Sequence, residues 1–135
     1  MPDARLDAER SDVERSDAEL APATVLGGLS AALTLAPLSQ EKVIEGAPLE
    51  GHRTLAAHGD TSIGLWELSE SISSDVEADE LFVVLSGRAS VEIAADAKRA
   101  ATTLELQAGS IVRLSAGMRT VWHVHETLRK LYVAL

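Results

Sequence analysis

At 135 residues, the chain is long enough for one domain with a hydrophobic core and too short for two ordinary ones. Its 21 acidic residues outnumber its 12 basic ones, so it lacks the basic face that binds phosphate backbones, and we expect no nucleic-acid partner. The absence of cysteine excludes disulfides, thiolate metal sites and cysteine nucleophiles, and it fits the cytoplasmic location that we expect.

Residues 1–20 are predicted to form an acidic tail. The repeat Asp-x-Glu-Arg-Ser recurs there with a five-residue period that matches neither a helix nor a strand. The segment has few apolar groups to bury, so we expect a disordered or frayed tail ahead of a single domain over residues 21–135.

Residues 20–40 carry no charge, but two prolines and two glycines interrupt them, so we expect no membrane span.

Short apolar or alternating runs follow the tail, with Gly or Pro between many of them. They predict strands at residues 31–36, 43–44, 53–57, 62–68, 80–87, 89–94, 102–106, 111–114, 120–125 and 130–135. Short strands at this close spacing, with no helical pattern among them, predict an all-β fold, either a small antiparallel sandwich or a barrel.

The strand from Glu80 to Gly87 begins with a carboxylate and ends at a predicted turn glycine. Its five consecutive large apolar residues predict burial on both faces. Before it, Asp75, Glu77 and Asp79 alternate in a stretch without any basic residue. We expect these three carboxylates to form a solvated strand face rather than a cation site, because no calcium-loop pattern is present.

Six residues separate Glu80 from Gly87, and farther on five residues separate Gly109 from Ser115-Ala116-Gly117. This spacing resembles the two-motif pattern of the cupin superfamily. Further matches are closer to the subfamily related to ureidoglycine aminohydrolase and the ethanolamine-utilisation cupins: Gly64-Leu-Trp66-Glu67, Trp122 and residues 126–133. The resemblance covers roughly residues 50–135. It implies a small antiparallel jelly-roll barrel, usually dimeric, with a pocket inside it.

Most positions that hold a metal in this superfamily carry other residues here. The motif spacing places its histidine positions on Ser73 and Asp75 (or Ser74 and Val76) and on Thr120. Of a set of three histidines and one glutamate, only Glu80 remains, and a single carboxylate is a poor site for a transition metal. We therefore expect no cofactor. A divalent metal is left open, with Glu80 as a weak ligand.

Strand alternation indicates which side chains converge inside the barrel. If Thr120 points inward, so does Trp122, whereas His123 and His125 project from the opposite face as a weaker alternative metal pair. Lys130 is the natural counter-charge of Glu80 in the matched motif, and the pair either fixes the barrel or binds a ligand. The predicted pocket residues are Glu67, Glu80, Phe82, Thr120, Trp122, Lys130 and Tyr132.

Two functions follow from this pattern. The first is a metal-poor cupin that binds a small polar metabolite in the barrel pocket, and the missing histidines favour it. The second is a cupin enzyme of the aminohydrolase or isomerase type, with Glu80 as general base or weak metal ligand and Lys130 as a second candidate catalytic residue.

We also expect a homodimer, because the apolar residues 24–36 precede the matched barrel and would be covered if lent to a neighbouring subunit.

Overall fold

The computed structural model describes residues 19–135; the rest of the predicted tail, residues 1–18, lies outside them. The elements are β1 (Ala36–Pro37), a 3₁₀ helix (Gln40–Lys42), β2 (Val43–Glu45), β3 (Leu49–His58), β4 (Thr61–Leu68), β5 (Ser71–Val76), β6 (Glu80–Ile93), β7 (Thr102–Leu106), β8 (Ile111–Leu114) and β9 (Arg119–Ala134). These strands pair antiparallel in one curled sheet, which confirms the predicted all-β jelly-roll class. Within residues 19–135, no helix has the length and apolar character needed to span a membrane, and the cytoplasmic location stays a prediction.

The sheet is built around β9. The C-terminal half of this strand lies between β4 and β6, and its N-terminal half lies between β5 and β6. β6 therefore runs beside β9 for most of its length, while its other edge pairs with β7 and β8. The inward faces of these strands meet in one hydrophobic core, which contains Trp66, Phe82 and Trp122.

Two long strands replace four predicted short ones. The predicted strands 80–87 and 89–94 are one strand, β6, and the predicted strands 120–125 and 130–135 are one strand, β9. Conversely, only Ala36 of the predicted strand at 31–36 lies in a strand, the two-residue β1. The difference arises because pairing between β6 and β9 continues across the glycine that local sequence rules assign to a turn.

Gly87 lies within a bulge of β6 rather than at the end of the strand, so the predicted turn is wrong. The register between β6 and β9 shifts several times between Val84 and Ala89. Gly87 has a φ of 93°, in the region that favours glycine. A Cβ at this position would lie 2.7 Å from the carbonyl carbon of Thr127 in β9. The bulge thus needs both the backbone freedom and the small size of glycine.

β6 is buried on one face only, in contrast to the burial on both faces that its apolar run predicts. Phe82 and Val84 point into the core, whereas Leu81 is 38% exposed on the outer face. Val83 pairs with Ile111 of β8 on that same outer face. The alternate apolar residues of β6 therefore contribute to an apolar outer surface instead of a second buried layer.

Residues 19–35 form an extended arm along the outside of the sheet. The N–H of Leu20 donates to the carbonyl oxygen of Ala57 at 2.9 Å. Farther along, the guanidinium of Arg129 donates to the carbonyl oxygen of Ala31. The chain therefore already pairs with β3 at residues 19 and 20, and the domain boundary at residue 21 stays a prediction.

Replacing Gly87 with Ala should destabilise the domain much more than replacing Gly109 with Ala. Both glycines have a φ near 90°, so each substitution costs about 1–2 kcal/mol of backbone strain. A Cβ at Gly109 meets no atom within 4 Å, whereas one at Gly87 would clash with the backbone of β9. We expect an additional loss of roughly 2 kcal/mol or more for Gly87→Ala in the free energy of unfolding, measured by urea denaturation. Equal losses would show that β6 and β9 are not in close contact at the bulge.

Candidate functional site

Lys130 lies at the centre of the core with its ammonium group buried. In β9 it is the cross-strand neighbour of Trp66 in β4 and of Val84 in β6, and all three side chains are buried on the inward face. Its Nζ lies 3.1 Å from Oε2 and 3.3 Å from Oε1 of Glu80. The two side chains are 0% and 2% exposed, respectively. The predicted ion pair between Glu80 and Lys130 is confirmed, and it is closed to solvent.

Three aromatic rings surround the same ammonium group. The ring centroids of Phe82, Trp66 and Trp122 lie 4.3, 4.7 and 5.5 Å from Nζ. A desolvated cation–π contact stabilises by up to about 2 kcal/mol or more, so these rings offset part of the cost of burying the charge. We call Lys130 together with Glu80, Trp66, Phe82 and Trp122 the lysine cage.

A second buried carboxylate, Glu77, holds one wall of the lysine cage. Its Oε2 accepts hydrogen bonds from Thr120 Oγ1 at 2.6 Å and from Trp122 Nε1 at 3.1 Å. The predicted solvated face is therefore wrong for Glu77. The reason is that β5 ends at Val76, after which the chain turns and the N–H of Glu77 donates to the carbonyl oxygen of Met118.

The other two acids of that stretch differ from each other. The side chain of Asp75 is almost fully buried and lies 3.3 Å from the Nζ of Lys42, so the solvated-face prediction is wrong for this residue as well. Asp79 is exposed, as predicted, and accepts a hydrogen bond from the N–H of Ala116. The acidic stretch is thus a set of distinct contacts rather than one charged face.

Burial raises the pKa of Glu80 above its usual value, because the charged form loses its hydration. The ammonium of Lys130 acts in the opposite direction and lowers this pKa, and the neighbouring carboxylate of Glu77 raises it again. The net direction is upward. Glu80 therefore depends on Lys130 to remain charged inside the barrel.

Six of the seven predicted pocket residues lie on the inward face and are nearly inaccessible: Glu80, Phe82, Thr120, Trp122, Lys130 and Tyr132. Tyr132 is packed against Gly64, where any Cβ would overlap its hydroxyl group. Glu67 does not join them, because it points away from the neighbouring Trp66 and forms an ion pair with Arg129 at 3.1 Å. The predicted residues thus form a packed core rather than an open pocket.

His123 and His125 lie on the outer face of β9, where strand alternation predicts them. The Nε2 of His123 contacts the carboxylate of Glu92, and the Nε2 of His125 lies 3.2 Å from Ser90 Oγ. Among residues 19–135, no group of three or more His, Asp or Glu side chains could hold a metal ion.

The oxygen atoms at the superfamily's metal positions do not fit a metal ion. The carboxylate of Glu80 already has the Lys130 ammonium as its counter-charge, and that of Asp75 has the Lys42 ammonium. The hydroxyl of Thr120 donates to a buried carboxylate. Each charged donor is neutralised by a protein cation, and a hydroxyl alone is a weak ligand for a transition metal.

An open cleft of about 860 Å³ lies at one end of β5, β6 and β9. Its lining residues are Lys42, Ser74, Asp75, Val76, Glu92, Ile93, Ala94, Ala101, Thr102, Thr103, Arg119, Thr120 and Val121. Two of these, Asp75 and Thr120, occupy the superfamily's metal-ligand positions, so the cleft adjoins the closed core. Sequence reasoning missed the cleft because its walls come from segments that are far apart in the chain.

A family model described as EutQ-like cupin domain matches residues 55–132 of this chain. No curated protein sequence matches this chain. A solved structure of the EutQ protein of Clostridium difficile is 16% identical, with a TM-score of 0.55 and coverage of 76% of this chain and 79% of that one. A Rhizobium leguminosarum protein of unknown function is 24% identical (TM-score 0.53; 63% and 79% covered). A putative ethanolamine utilization protein of Salmonella typhimurium is 15% identical (TM-score 0.54; 82% and 97% covered). At these identities, the solved structures show a shared fold.

Replacing Lys130 with Met should make the stability of the domain fall with rising pH. Glu80 would be left buried without its counter-charge, and breaking such a pair costs about 3–5 kcal/mol. The pKa of folded Glu80 lies above its usual 4.5, so folding favours the protonated form. The free energy of unfolding should be highest below pH 4.5 and decrease as the pH rises through the raised pKa.

The double variant Lys130→Met with Glu80→Gln is the matched control. It keeps the approximate shape of the lysine cage but has no titrating carboxylate at position 80. Urea denaturation across the acidic to neutral range should show the additional pH-dependent loss only in the single variant. The same pH dependence in both variants would contradict the role given to Lys130.

Proposed function

The chain belongs to the family of EutQ-like cupin domains, and on this basis we propose that it is a binding-type cupin that holds a small polar metabolite without a transition metal. The observation that carries the proposal is the lysine cage. Lys130 places an ammonium group against Glu80, the one metal-ligand residue of the superfamily pattern that the sequence retains. The barrel centre thus contains a cation that belongs to the protein itself.

The metabolite is proposed to bind in the open cleft rather than at the lysine cage. A ligand at the cage would have to displace Lys130 and the packed rings of Trp66 and Trp122, all of which are almost completely buried. The cleft is open to solvent, and its volume lies within the range of roughly 300–1,000 Å³ that is common for small-molecule sites. This location replaces the interior pocket expected from the sequence.

A cupin enzyme that uses Glu80 as a general base is the second candidate. The raised pKa of Glu80 favours it, because a base works best when its pKa lies close to the working pH. However, the carboxylate is buried and paired with Lys130, so a substrate could reach it only if the lysine cage opened. The geometry therefore favours binding over catalysis at this residue.

Protein purified without an affinity tag should contain well under about one transition metal per subunit, because too few free donors remain to replace a metal's hydration shell. Elemental analysis, followed by titration with Mn²⁺, Fe²⁺, Ni²⁺ and Zn²⁺, measures this. Near-stoichiometric metal that is lost in Glu80→Gln would overturn the metal-free proposal. Metal lost in His123→Ala or His125→Ala would locate a site on the outer face instead.

We also propose a homodimer that uses the apolar outer face of the sheet. Two cross-strand rows form this face: Ile63, Val133 and Leu81, and then Leu131, Val83 and Ile111. Ile111 is 74% exposed and Leu81 is partly exposed. A contiguous apolar sheet face of this kind is commonly covered by a partner. The arm contacts β3 and β9 of the single chain, so we base the proposed dimer on this face rather than on an exchanged strand.

Replacing Ile111 with Lys should convert the dimer to a monomer, because a charge would be buried in the proposed interface. Ile44→Lys is the matched control, since Ile44 is also largely exposed but lies in β2, away from this face. Sedimentation equilibrium at micromolar concentration should show a dimer for the parent protein and for Ile44→Lys. A monomeric parent protein would contradict the proposal.

A further inference from the structure

The cleft has a polar row and a mixed row of side chains on the outer face of the sheet. The polar row crosses four strands, since Ser74, Val121, Glu92 and Thr103 are successive cross-strand neighbours. The second row lies two residues farther along and places Val76 beside Arg119, with the N–H of Ala94 bonded to the carbonyl oxygen of Arg119. Because neighbouring strands are about 4.8 Å apart, the two rows span the width of a small molecule.

Arg119 stands in this cleft without a carboxylate partner among the described residues. Glu92 lies on the neighbouring strand β6, in the polar row next to the row of Arg119. Its carboxylate contacts the imidazole of His123, which lies on the side of the polar row away from Arg119. Asp75 also lines the cleft, but its carboxylate has Lys42 as its partner. The two acids of the cleft are therefore engaged elsewhere, and the exposed guanidinium of Arg119 keeps its donors available.

Basic side chains without an ion pair are concentrated around the cleft. Within residues 19–135, the basic side chains in ion pairs with acidic ones are Lys42, Arg88, Arg113, Arg129 and Lys130. Those without one are Arg53, Lys98, Arg99 and Arg119. Lys98 and Arg99 lie in the loop between β6 and β7, both ends of which line the cleft. In a chain of net charge −9, three of these four side chains thus lie in the cleft or in the loop whose ends line it.

The loop that carries these two basic residues is held in place by Asp96. The Oδ1 of Asp96 accepts hydrogen bonds from the N–H groups of Lys98 at 2.8 Å and Arg99 at 2.9 Å. These bonds, together with the nearby charges of the two basic side chains, lower the pKa of Asp96. The loop therefore keeps a defined turn beside the cleft, between two ends that both line it.

We infer that the cleft binds a small organic carboxylate, with Arg119 as the residue that holds the carboxylate group. A guanidinium presents parallel N–H donors that match the two oxygens of a carboxylate. The side chains of Val76 and Val121, with Ala94 and Ala101, provide an apolar surface for the body of the ligand. The hydroxyls of Ser74 and Thr103 supply further donors and acceptors.

This inference rests on the proposed binding function and gives that ligand a chemical class. Inorganic phosphate shares the oxyanion chemistry that Arg119 recognises, but it has no apolar part to cover Val76 and Val121. A neutral or cationic molecule of the same size would leave the guanidinium unpaired. Comparison of ligands with the same carbon chain and different charges therefore tests the assignment directly.

The experiment is a titration of the 135-residue protein with butyrate, n-butanol, n-butylammonium and inorganic phosphate. Binding is measured from the changes in the backbone amide chemical shifts of β5, β6 and β9. We expect butyrate to bind with a dissociation constant of about 1 mM or tighter, and at least about tenfold more tightly than the other three probes. Arg119→Gln should weaken butyrate binding at least about tenfold. Arg53→Gln is the matched control, because Arg53 is also exposed and without an ion pair but lies in β3. The affinity of this variant for butyrate should equal that of the parent protein.

Each alternative result has a distinct meaning. Binding of butanol or butylammonium at the cleft, without preference for butyrate, would overturn the carboxylate inference and leave the proposed binding function intact. Phosphate that binds as tightly as butyrate would assign the site to inorganic oxyanions instead. An equal loss in Arg119→Gln and Arg53→Gln would show nonspecific attraction to positive charge. If none of the probes binds, the carboxylate inference fails. A broad metabolite screen that also finds no ligand would then reject the proposed function.

Discussion

The buried ammonium of Lys130 is the constraint on which the rest of the structure depends. A charge at this depth is stable only with an opposite charge and favourable surroundings. Glu80 supplies the first at 3.1 Å, and Trp66, Phe82 and Trp122 supply the second. These partners come from β4, β6 and β9, so the register of all three strands must be correct at once. A shift of one residue would turn the lysine to the outer face and leave Glu80 buried alone.

The lysine cage also explains why a cupin barrel that retains Glu80 does not offer it as a metal ligand. The carboxylate is used inside the fold, where it neutralises Lys130. Glu77 extends this internal polar network by accepting hydrogen bonds from Thr120 and Trp122. The core is thus closed by its own charges, whereas the cleft, where we propose that the ligand binds, is open to solvent.

Outside the core, several acidic side chains are paired, whereas some basic side chains have no ion pair among the described residues. Several acidic residues are engaged by specific partners, as Asp75 is by Lys42 and Glu67 by Arg129, so their number alone says little about what the surface attracts. Of the four basic residues without ion pairs in the described chain, Arg119 lines the cleft, and Lys98 and Arg99 lie in the loop whose ends line it. A strongly acidic protein can therefore still present a local site for an anion, because at physiological salt the field near a surface is set by charges within about 8 Å.

The sequence alone determined the fold class and the faces of the main strands. Alternation placed Lys130 and Trp122 inward and His123 outward, because the side-chain period of a strand is two and needs only local information. The resemblance to the cupin pattern implied that Lys130 is the counter-charge of Glu80. Only the tertiary structure decided that Glu77 is buried, that Glu67 faces away from the core, and that the predicted interior pocket is filled. It also revealed the cleft around Arg119. These features arise from contacts between segments far apart in the chain, and no local pattern records such contacts.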